Sequence, residues 1–420
     1  MAVIAPFEAL RPSAQFASQV ASRPYDVLNR EEAKTEAQGN PYSFLHITRS
    51  EIDLPEDVDI HSPEVYTKAK ENLDAFLSRD VLFRENKACY YIYQLVMPAP
   101  AGSDGEGRSQ TGLVAASSLD DYENDIIKKH EFTRPEKEQD RINHISTTGA
   151  QTGNVFLAYR SLEAIDTLIS DWKTGRSPIY DFVAGDDIQH SIWIVNDDET
   201  ISKITGLFAA HIPYTYIADG HHRAASAAKV RKNLGSAAHN SADYFLTTLF
   251  PSNQLYIMDY NRAVKDLNGL KNDSFMALVA AQFEIEAAGT KIVSPKQLHE
   301  LGMFIAGKWY KLTAKQGTFS QDPIGVLDVT ILSNNILDKI LGIADQRTDK
   351  RIDFVGGIRG LGELEKRVNS GEMAVAFSLY PVSIDQLFDI ADSGNVMPPK
   401  STWFEPKLRD GLLTHTIFKA

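Results

Sequence analysis

A β-strand that turns directly into an α-helix is predicted by residues 213–228, PYTYIADGHHRAASAA. The first half of this stretch is rich in aromatic and β-branched residues, which favour a strand, and the last part is rich in alanine, which favours a helix. Asp219 and Gly220 then lie at the turn between the two elements. We expect Asp219 to be the N-cap of the helix.

This turn has the properties of an anion-binding site. The free N–H groups of the first helical turn carry partial positive charge, and Gly220 lets an anion approach the backbone closely. Arg223, one turn into the helix, could add a planar bidentate contact to a phosphate. His221 and His222 point about 100° apart on a helix, so they do not converge on a metal ion as an i, i+4 pair would. The alternative is that Asp219 only caps the helix and the histidines pack or face solvent.

A second candidate segment is residues 128–141, KKHEFTRPEKEQDR, in which Pro135 suits the first turn of a helix. His130 and Glu131 would precede that helix in an exposed loop. The zinc motif H-E-x-x-H fails here, because Arg134 stands where the second histidine is required. Alone, the segment is explained equally well as a solvated charged helix. Together with the turn at residues 219–223, it supplies the carboxylate and the phosphate site that phosphoryl transfer to a hydroxyl needs.

The remaining pattern predicts a mixed architecture of the α+β or α/β class, because helical and strand patterns alternate along the chain. A shift to turn-forming residues at 266–274 predicts two domains, 1–265 and 266–420. The elements used below are a helix at 64–79, a hairpin of strands 88–97 and 111–117 with a loop at 101–110, helices at 121–129 and 324–342, and strands at 155–159, 180–183 and 303–312.

Two further loops are candidate binding segments. Residues 397–407, MPPKSTWFEPK, place Lys400, Ser401, Thr402 and Lys407 between prolines that restrict the backbone, so two ammonium groups could be held ready for an anionic substrate. A rigid return loop is an equal explanation. The turn at residues 23–26, RPYD, could bring its Tyr and Asp to the rim of a pocket, although turn formation explains them equally well.

Composition excludes several classes of protein. The 420 residues carry 43 Lys and Arg against 56 Asp and Glu, a formal net charge of -13, which argues against nonspecific binding to nucleic acid or anionic lipid. The single cysteine, Cys89, fits a reducing compartment. No stretch approaches the length of a membrane span, and the N-terminal residues lack the pattern of a signal peptide. We therefore expect a cytoplasmic protein that does not contact membranes.

The two central motifs resemble those of the ParB and sulfiredoxin-like superfamily, in particular its free serine kinase branch. The whole chain is also similar to a large prokaryotic family of about 400 residues whose domain has no known function and which is sometimes labelled a helix-turn-helix transcriptional regulator. The segments that carry this second resemblance are Pro6-Phe7, Leu10-Arg11-Pro12, Pro24-Tyr25-Asp26, residues 129–133, Asp140-Arg141, residues 219–223 and residues 397–407.

The resemblance implies a ParB/sulfiredoxin-like core with inserted and appended α/β elements. In the kinase branch, the glutamate of the His-Glu pair is the catalytic base, and the Asp-Gly-His-His-Arg turn binds substrate and phosphate. Carried over, these roles fall on Glu131 and on the turn from Asp219 to Arg223. Glu131 and Asp219 are 88 positions apart, a longer interval than the small kinases have.

These observations predict phosphoryl transfer at the hydroxyl of free L-serine, or the reverse reaction on O-phosphoserine, with ATP or ADP and Mg²⁺ as cofactors. Glu131 would be the general base, and His221 or His222 would stabilise charge on the transferred group. The predicted substrate- and phosphate-binding residues are His130, Thr133, Asp219, Gly220, Arg223, Lys400, Ser401, Thr402 and Lys407, with no metal ligand set among the side chains.

Two other classes remain open at this point. A ParB-like regulatory module could sense a nucleotide or metabolite without turnover. A metal hydrolase could exist in principle, but the sequence offers no ligand set at a recognisable spacing.

Overall fold

The computed structural model describes residues 1–98, 107–131, 133–235 and 240–418. It has two compact units, one formed by Met1–Leu255 with Pro406–Ala420 and the other by Tyr256–Glu405. The mixed α/β class predicted from the sequence is confirmed. The unit boundary differs from the predicted 265/266, because the strand at residues 260–264 pairs within the second unit's sheet. The turn-rich residues 266–274 lie inside that unit, as a loop that leads into a helix beginning at Asn272.

The strands of the first unit are β1 (Ile4–Ala5), β2 (Leu10–Pro12), β3 (Leu82–Arg84), β4 (Tyr90–Met97), β5 (Arg108–Ser118), β6 (Ile127–Lys128), β7 (Ala150–Gln151), β8 (Val155–Tyr159), β9 (Tyr180–Val183), β10 (Gln189–Val195), β11 (Thr215–Asp219) and β12 (Tyr244–Pro251). Most of them form a nine-stranded mixed sheet with the order β6-β11-β8-β12-β5-β4-β10-β9, and β1 also pairs with β5. The β6-β11 and β8-β12 pairs are parallel, and the other pairs are antiparallel.

Helices of the first unit pack on this sheet and beside it. They are α1 (Ala17–Val20), α2 (Arg30–Ala37), α3 (Leu45–Thr48), α4 (Pro63–Ser78), α5 (Leu119–Glu123), α6 (Pro135–Thr148), α7 (Glu163–Lys173), α8 (Asp198–His211) and α9 (His221–Leu234). The main core joins buried residues of β8 and β12 to those of α7, α8 and α9. The alanines of α9 are buried there, and small side chains let the helix lie close to the strands.

Residues 406–418 return to the first unit after the chain has passed through the second. The backbones of Leu10 and Thr414 form a bridge, as do those of Ser22 and Asp410. A short strand, His415–Thr416, pairs with β7. These contacts bring the C-terminal segment to the strands and turns at the start of the chain.

The second unit contains a fully antiparallel six-stranded sheet with the order β15-β17-β16-β19-β14-β18 and a separate two-stranded ladder of β13 and β20. The strands are β13 (Ile257–Met258), β14 (Tyr260–Val264), β15 (Phe283–Gly289), β16 (Glu300–Ile305), β17 (Lys308–Ala314), β18 (Ile352–Gly356), β19 (Val375–Leu379) and β20 (Trp403–Phe404), and the helices are α10 (Asn272–Gln282), α11 (Asp328–Leu332), α12 (Gly362–Asn369) and α13 (Ile384–Asp392).

Several predicted elements agree with the structure and a few do not. The helix predicted at 64–79 is α4, and the hairpin of β4 and β5 is present, although most of its predicted loop lies outside the described residues. The helix predicted at 121–129 is instead the short α5 followed by β6, and the helix predicted at 324–342 is α11 continued by a π-helical turn, Ser333–Asp338. Among the described residues, none of the helices combines the length and apolar composition that a membrane span requires.

Candidate active site

The corner between β11 and α9 is formed as a strand end, one glycine and a helix start. Asp219 is the last residue of β11, and α9 begins at His221. Gly220 occupies the N-cap position that was predicted for Asp219, with a φ of +98° and no side-chain cap. A positive φ is readily adopted only by glycine, which explains why Asp219 cannot take this place. The first-turn N–H groups of α9 therefore lack a capping side chain from this position.

The segment that carries Glu131 lies directly against this corner. The backbone N–H of His130 points to Nε2 of His221 at 3.5 Å, and the backbone N–H of Arg134 donates to Nε2 of His222 at 2.9 Å. The rings of His130 and His221 meet edge to face with their centroids 4.6 Å apart. Because each accepting Nε2 carries no proton, each neutral ring bears its proton on Nδ1. The two histidines of the corner therefore contact the backbone of the segment before and after Glu131, at His130 and Arg134.

Burial keeps two of these rings neutral. His130 is 2% exposed, and burial lowers the pKa of its imidazole to about 4, although Asp219 partly opposes the shift. Burial, with the neighbouring His130, lowers the pKa of His221 well below its usual value. Neutral rings can accept or donate a hydrogen bond but add no positive charge. Nδ1 of His130 is buried and has no hydrogen-bond partner among the described residues.

Thr133 is tied to a buried carboxylate that the sequence analysis did not single out. Its hydroxyl donates to Glu138 of α6, and Lys229 of α9 pairs with the same carboxylate. Burial opposes ionisation of Glu138, but the hydrogen bonds from Lys229 and Thr133 outweigh it and lower the pKa. Ser226 also donates to the Glu138 carbonyl at 3.1 Å, so α6 and α9 are joined at two points beside the corner. Glu131 lies half-buried in the segment between His130 and Thr133.

Arg223 lies at the corner, but its guanidinium is engaged by protein groups. Nη2 donates to both carboxylate oxygens of Asp26 at 2.9 and 2.8 Å, and Nη1 donates to the Asn154 carbonyl at 2.5 Å. Burial would lower its pKa, but Asp26, Asp219 and Asp410 more than offset this and raise it. The two terminal nitrogens predicted to hold a phosphate are thus directed to Asp26 and to the Asn154 carbonyl in the structure. The turn at residues 23–26 reaches the candidate site through this ion pair.

The returning C-terminal segment adds two more charged groups. Nζ of Lys407 is 3.5 Å from Oδ2 of Asp219, so this lysine of the predicted loop does lie at the corner. Asp410 is buried near Arg223, and neither carboxylate oxygen has a hydrogen-bond partner among the described residues. Burial raises the pKa of Asp410 to about 7, against the opposing effect of Arg223 and with the support of Asp26.

The other three residues of that predicted loop belong to the second unit. Lys400 has a φ of +57°, and the Ser401 hydroxyl donates to the Pro398 carbonyl at 2.6 Å, as a tight turn would require. Together with Thr402, these residues remain predicted ligands, and Lys407 is the member of the set that the first unit holds against Asp219.

The functional neighbours that sequence reasoning missed are Glu138, Lys229, Asn154 and Asp410. Glu138 and Lys229 had a weak signal, because each lies on a helix next to a motif that was recognised. Asn154 contacts Arg223 through its backbone carbonyl, which any residue type would supply, and Asp410 lies 187 positions after Arg223, so no local pattern could have connected them.

Within the ranges that the structure describes, no three His, Cys, Asp or Glu side chains gather as a dedicated metal site would require. Divalent magnesium commonly needs only one or two carboxylates, with phosphate oxygens and water completing its shell. Asp219, whose side chain is about one-third exposed, is a carboxylate of the right kind at the corner.

Comparison with solved structures finds distant likenesses. A mutant free serine kinase in complex with AMP aligns with 72% of this chain and 92% of its own at 12% identity, with a TM-score of 0.37. SbnI from Staphylococcus aureus, truncated at its C-terminus, aligns with 71% and 85% at 10% identity and a TM-score of 0.39, and a conserved hypothetical protein from Pyrococcus furiosus with 72% and 94% at 14% identity and a TM-score of 0.36. Likenesses at these scores carry no argument about activity.

Comparison of the sequence with family models identifies the family of this chain. No curated protein matches the chain. A family model described as a protein of unknown function, DUF1015, matches residues 4–330, which is well over half of the chain. The chain therefore belongs to the DUF1015 family.

Proposed function

We propose that this chain transfers a phosphoryl group at the hydroxyl of free L-serine, as a kinase or in reverse on O-phosphoserine. The observation that carries the proposal is the pair of contacts from the backbone N–H groups of His130 and Arg134 to His221 and His222. These contacts bring the backbone of Glu131 next to the first turn of α9. A carboxylate beside a helix N-terminus is the minimum arrangement for activating a hydroxyl next to a bound phosphate.

Glu131 is the general base in this proposal. Its carboxylate accepts the proton of the serine hydroxyl in the forward direction and returns it to the serine oxygen when the nucleotide takes the phosphoryl group back. In hydrolysis of O-phosphoserine, the same carboxylate accepts a proton from the attacking water and returns one to the leaving serine oxygen. The neighbouring N–H groups of α9, the ammonium of Lys407 and the Nδ1–H of a neutral histidine stabilise charge on the phosphoryl oxygens. Arg223 acts through Asp26 and the Asn154 carbonyl as a positioning residue, because its planar fork is already occupied there.

The chemistry of the corner fits a nucleotide phosphate with Mg²⁺. Uncapped amides, a glycine without Cβ and one lysine form a suitable cradle for a phosphate, and Asp219 is a suitable magnesium ligand. ATP or ADP would supply the phosphoryl group, and Mg²⁺ would neutralise charge on its phosphates. The side chains of this chain then orient the hydroxyl and remove its proton.

The direct test is a ³¹P NMR assay of the full chain with L-serine and ATP or ADP, and with O-phosphoserine. Glu131→Gln is expected to lower kcat by about 10² to 10⁴-fold, the usual contribution of a general base. Glu136→Gln is the matched control, because Glu136 is exposed at the start of α6 and is expected to leave the rate within about twofold. No product with any of these substrates would refute the proposal, and nucleotide binding without turnover would favour the sensing module instead.

A further inference from the structure

A polar cavity lies in the first unit beside the candidate site. Its empty volume is about 530 Å³, which includes open solvent at its entrance. Its walls come from the turn at Tyr25, the segment at residues 48–51, α4 and α6. Asp26 belongs both to this cavity and to the ion pair with Arg223, and α6 begins four positions after Glu131. The cavity is therefore a neighbour of the corner within one compact unit.

Arg141 is held in the wall of this cavity with part of its hydrogen-bonding capacity unused. Nε and Nη2 contact Oδ2 of Asp140 at 2.9 and 2.7 Å, and the guanidinium carbon lies 3.9 Å from the ring centroid of Tyr25. Asp140 is fixed in turn by the hydroxyl of Tyr66 at 3.0 Å and by Nδ1 of His61 at 3.2 Å. Nη1 of Arg141 has no hydrogen-bond partner in the described part of the chain, so it can donate to a ligand.

A carboxylate of opposite charge borders the same aromatic ring. Asp26 follows Tyr25 directly, and its side chain is 37% exposed while it accepts from Nη2 of Arg223. Each of its oxygens has further lone pairs for another donor. Arg141 and Asp26 thus present a fixed guanidinium and an accessible carboxylate around Tyr25.

The balance of charge around the cavity defines the ligand class. Three carboxylates, those of Asp26, Glu51 and Asp140, disfavour a dianion such as free phosphate. The guanidinium groups of Arg49 and Arg141 and the ammonium of Lys137 disfavour a simple cation. A molecule that carries both charges close together satisfies each sign at once.

We propose that this cavity binds a small α-amino acid by its zwitterionic backbone, with Arg141 on the carboxylate and Asp26 on the ammonium. The identity of the amino acid as the phosphoryl acceptor rests on the function proposed above. The binding itself does not, because it concerns the charged backbone and not the hydroxyl.

Calorimetric titration of the full chain tests the proposal with four probes: L-serine, L-alanine, 3-hydroxypropanoate and ethanolamine. L-Serine and L-alanine are expected to bind comparably. The two analogues that lack the ammonium or the carboxylate are expected to bind at least about tenfold more weakly, because each can make only one of the two charge-assisted contacts. Failure of both amino acids to bind, or equal binding of all four probes, would overturn the proposal.

Two matched variants assign the site. Arg141→Lys keeps the charge but loses the planar fork, and is expected to weaken L-alanine binding at least about tenfold. Arg176→Lys is the control, because the Arg176 guanidinium also lies 3.9 Å from an aromatic ring, that of Trp172, outside the cavity. Thermal unfolding confirms that each variant is folded. A folded Arg141→Lys that binds L-alanine like the wild type contradicts the assignment.

The outcomes separate this inference from the proposed function. Arg141-dependent binding of L-alanine and L-serine without phosphoryl transfer supports the amino-acid site and refutes the transferase. Transfer to L-serine with a KM that Arg141→Lys leaves unchanged supports the transferase and refutes the site.

Discussion

Two arginines, one in each unit, are almost fully shielded from solvent but have opposite surroundings. Arg223 is 7% exposed and pairs with Asp26, with Asp219 and Asp410 nearby, and these carboxylates raise its pKa. Arg262 of β14 is 0% exposed, and its partners among the described residues are oxygens of neutral groups: the carbonyls of Tyr260 and Pro399 and the amide of Gln346. Burial lowers the pKa of Arg262 to about 9.

The difference shows how each region uses a buried charge. The partners of Arg223 come from three distant chain segments, so its charge organises the surroundings of the corner. Arg262 instead ties the turn at residues 398–401 to β14, and this tie needs hydrogen-bond donors more than it needs charge. A buried cation surrounded by carboxylates therefore marks the candidate site, and one surrounded by carbonyls marks a structural contact.

Removing each cation in turn should give the largest contrast. Arg223→Met leaves Asp26 and the buried Asp410 without their counter-charge and is expected to lower the free energy of unfolding by about 3 to 5 kcal/mol. Arg262→Met leaves two carbonyls unpaired but also removes the cost of burying a charge, so a loss below about 2 kcal/mol is expected. Urea unfolding of the two full-length variants measures both values. Equal losses would show that the carboxylates do not distinguish the two sites.

The next effect concerns the acid beside Arg223. Because the pKa of Asp410 is raised to about 7, the folded chain holds a proton between about pH 4 and 7 that the unfolded chain has released. The contribution of Asp410 to stability therefore falls as the pH rises through that window, by at most about 4 kcal/mol at 1.36 kcal/mol per pKa unit. Asp410→Asn is expected to flatten the dependence of unfolding free energy on pH.

The second unit offers a matched acid for this measurement. Burial raises the pKa of Asp328 to about 7 as well, although the backbone N–H of His299 donates to it at 2.7 Å. Asp328→Asn is expected to flatten the same pH window without changing nucleotide or phosphoserine binding. An unchanged pH profile in Asp410→Asn would contradict the assigned protonation.

Backbone strain at the corner gives a smaller effect. Gly220→Ala places a Cβ on a residue with a φ of +98° and is expected to cost about 1 to 2 kcal/mol. In the second unit, Gly356 has backbone angles that any residue adopts, but an added Cβ would lie 2.9 Å from the Trp403 ring. The cost of Gly356→Ala is therefore a steric clash and not backbone strain. Trp403→Leu should therefore relieve Gly356→Ala, and no such side-chain change should relieve Gly220→Ala, as thermal unfolding of the single and double variants can show.

The smallest change in stability is expected at Lys407. Its ion pair with Asp219 is long and partly exposed, so Lys407→Met should change the free energy of unfolding by less than about 1 kcal/mol. The same variant should weaken binding of O-phosphoserine, because it removes a cation from the proposed phosphate site. Calorimetry checks this, and unchanged affinity would remove Lys407 from the proposed site.

Local patterns were enough to predict much of the first unit. Residues 155–159 and 180–183 are strands as predicted, and α4 agrees within one residue at each end, because their periodicity and flanking turns are strong. The strand predicted at 303–312 is instead the hairpin of β16 and β17. Its turn is formed by Ala306 and Gly307, which both have positive φ angles, within an otherwise continuous apolar run.

The candidate site was predictable only in part, for a physical reason. The two motifs that contact each other, residues 128–141 and 219–223, were recognisable because each contains residues that favour a turn before a helix. The partners of Arg223 were not, because Asp26 lies 197 positions away and Asp410 reaches it only after the chain has passed through the second unit. Whether a guanidinium is left to bind a ligand or pairs with another side chain depends on the tertiary structure.

The central claim is that Glu131 and the corner at residues 219–223 form one site, and a crystal of the full chain soaked with O-phosphoserine tests it most directly. We expect the phosphate on the first-turn amides of α9 and Lys407, with a Glu131 oxygen within about 3.2 Å of the phosphoserine oxygen or of a water beside the phosphorus. A phosphate bound elsewhere in the unit, or at the corner with the Glu131 carboxylate turned away from it, would contradict the account.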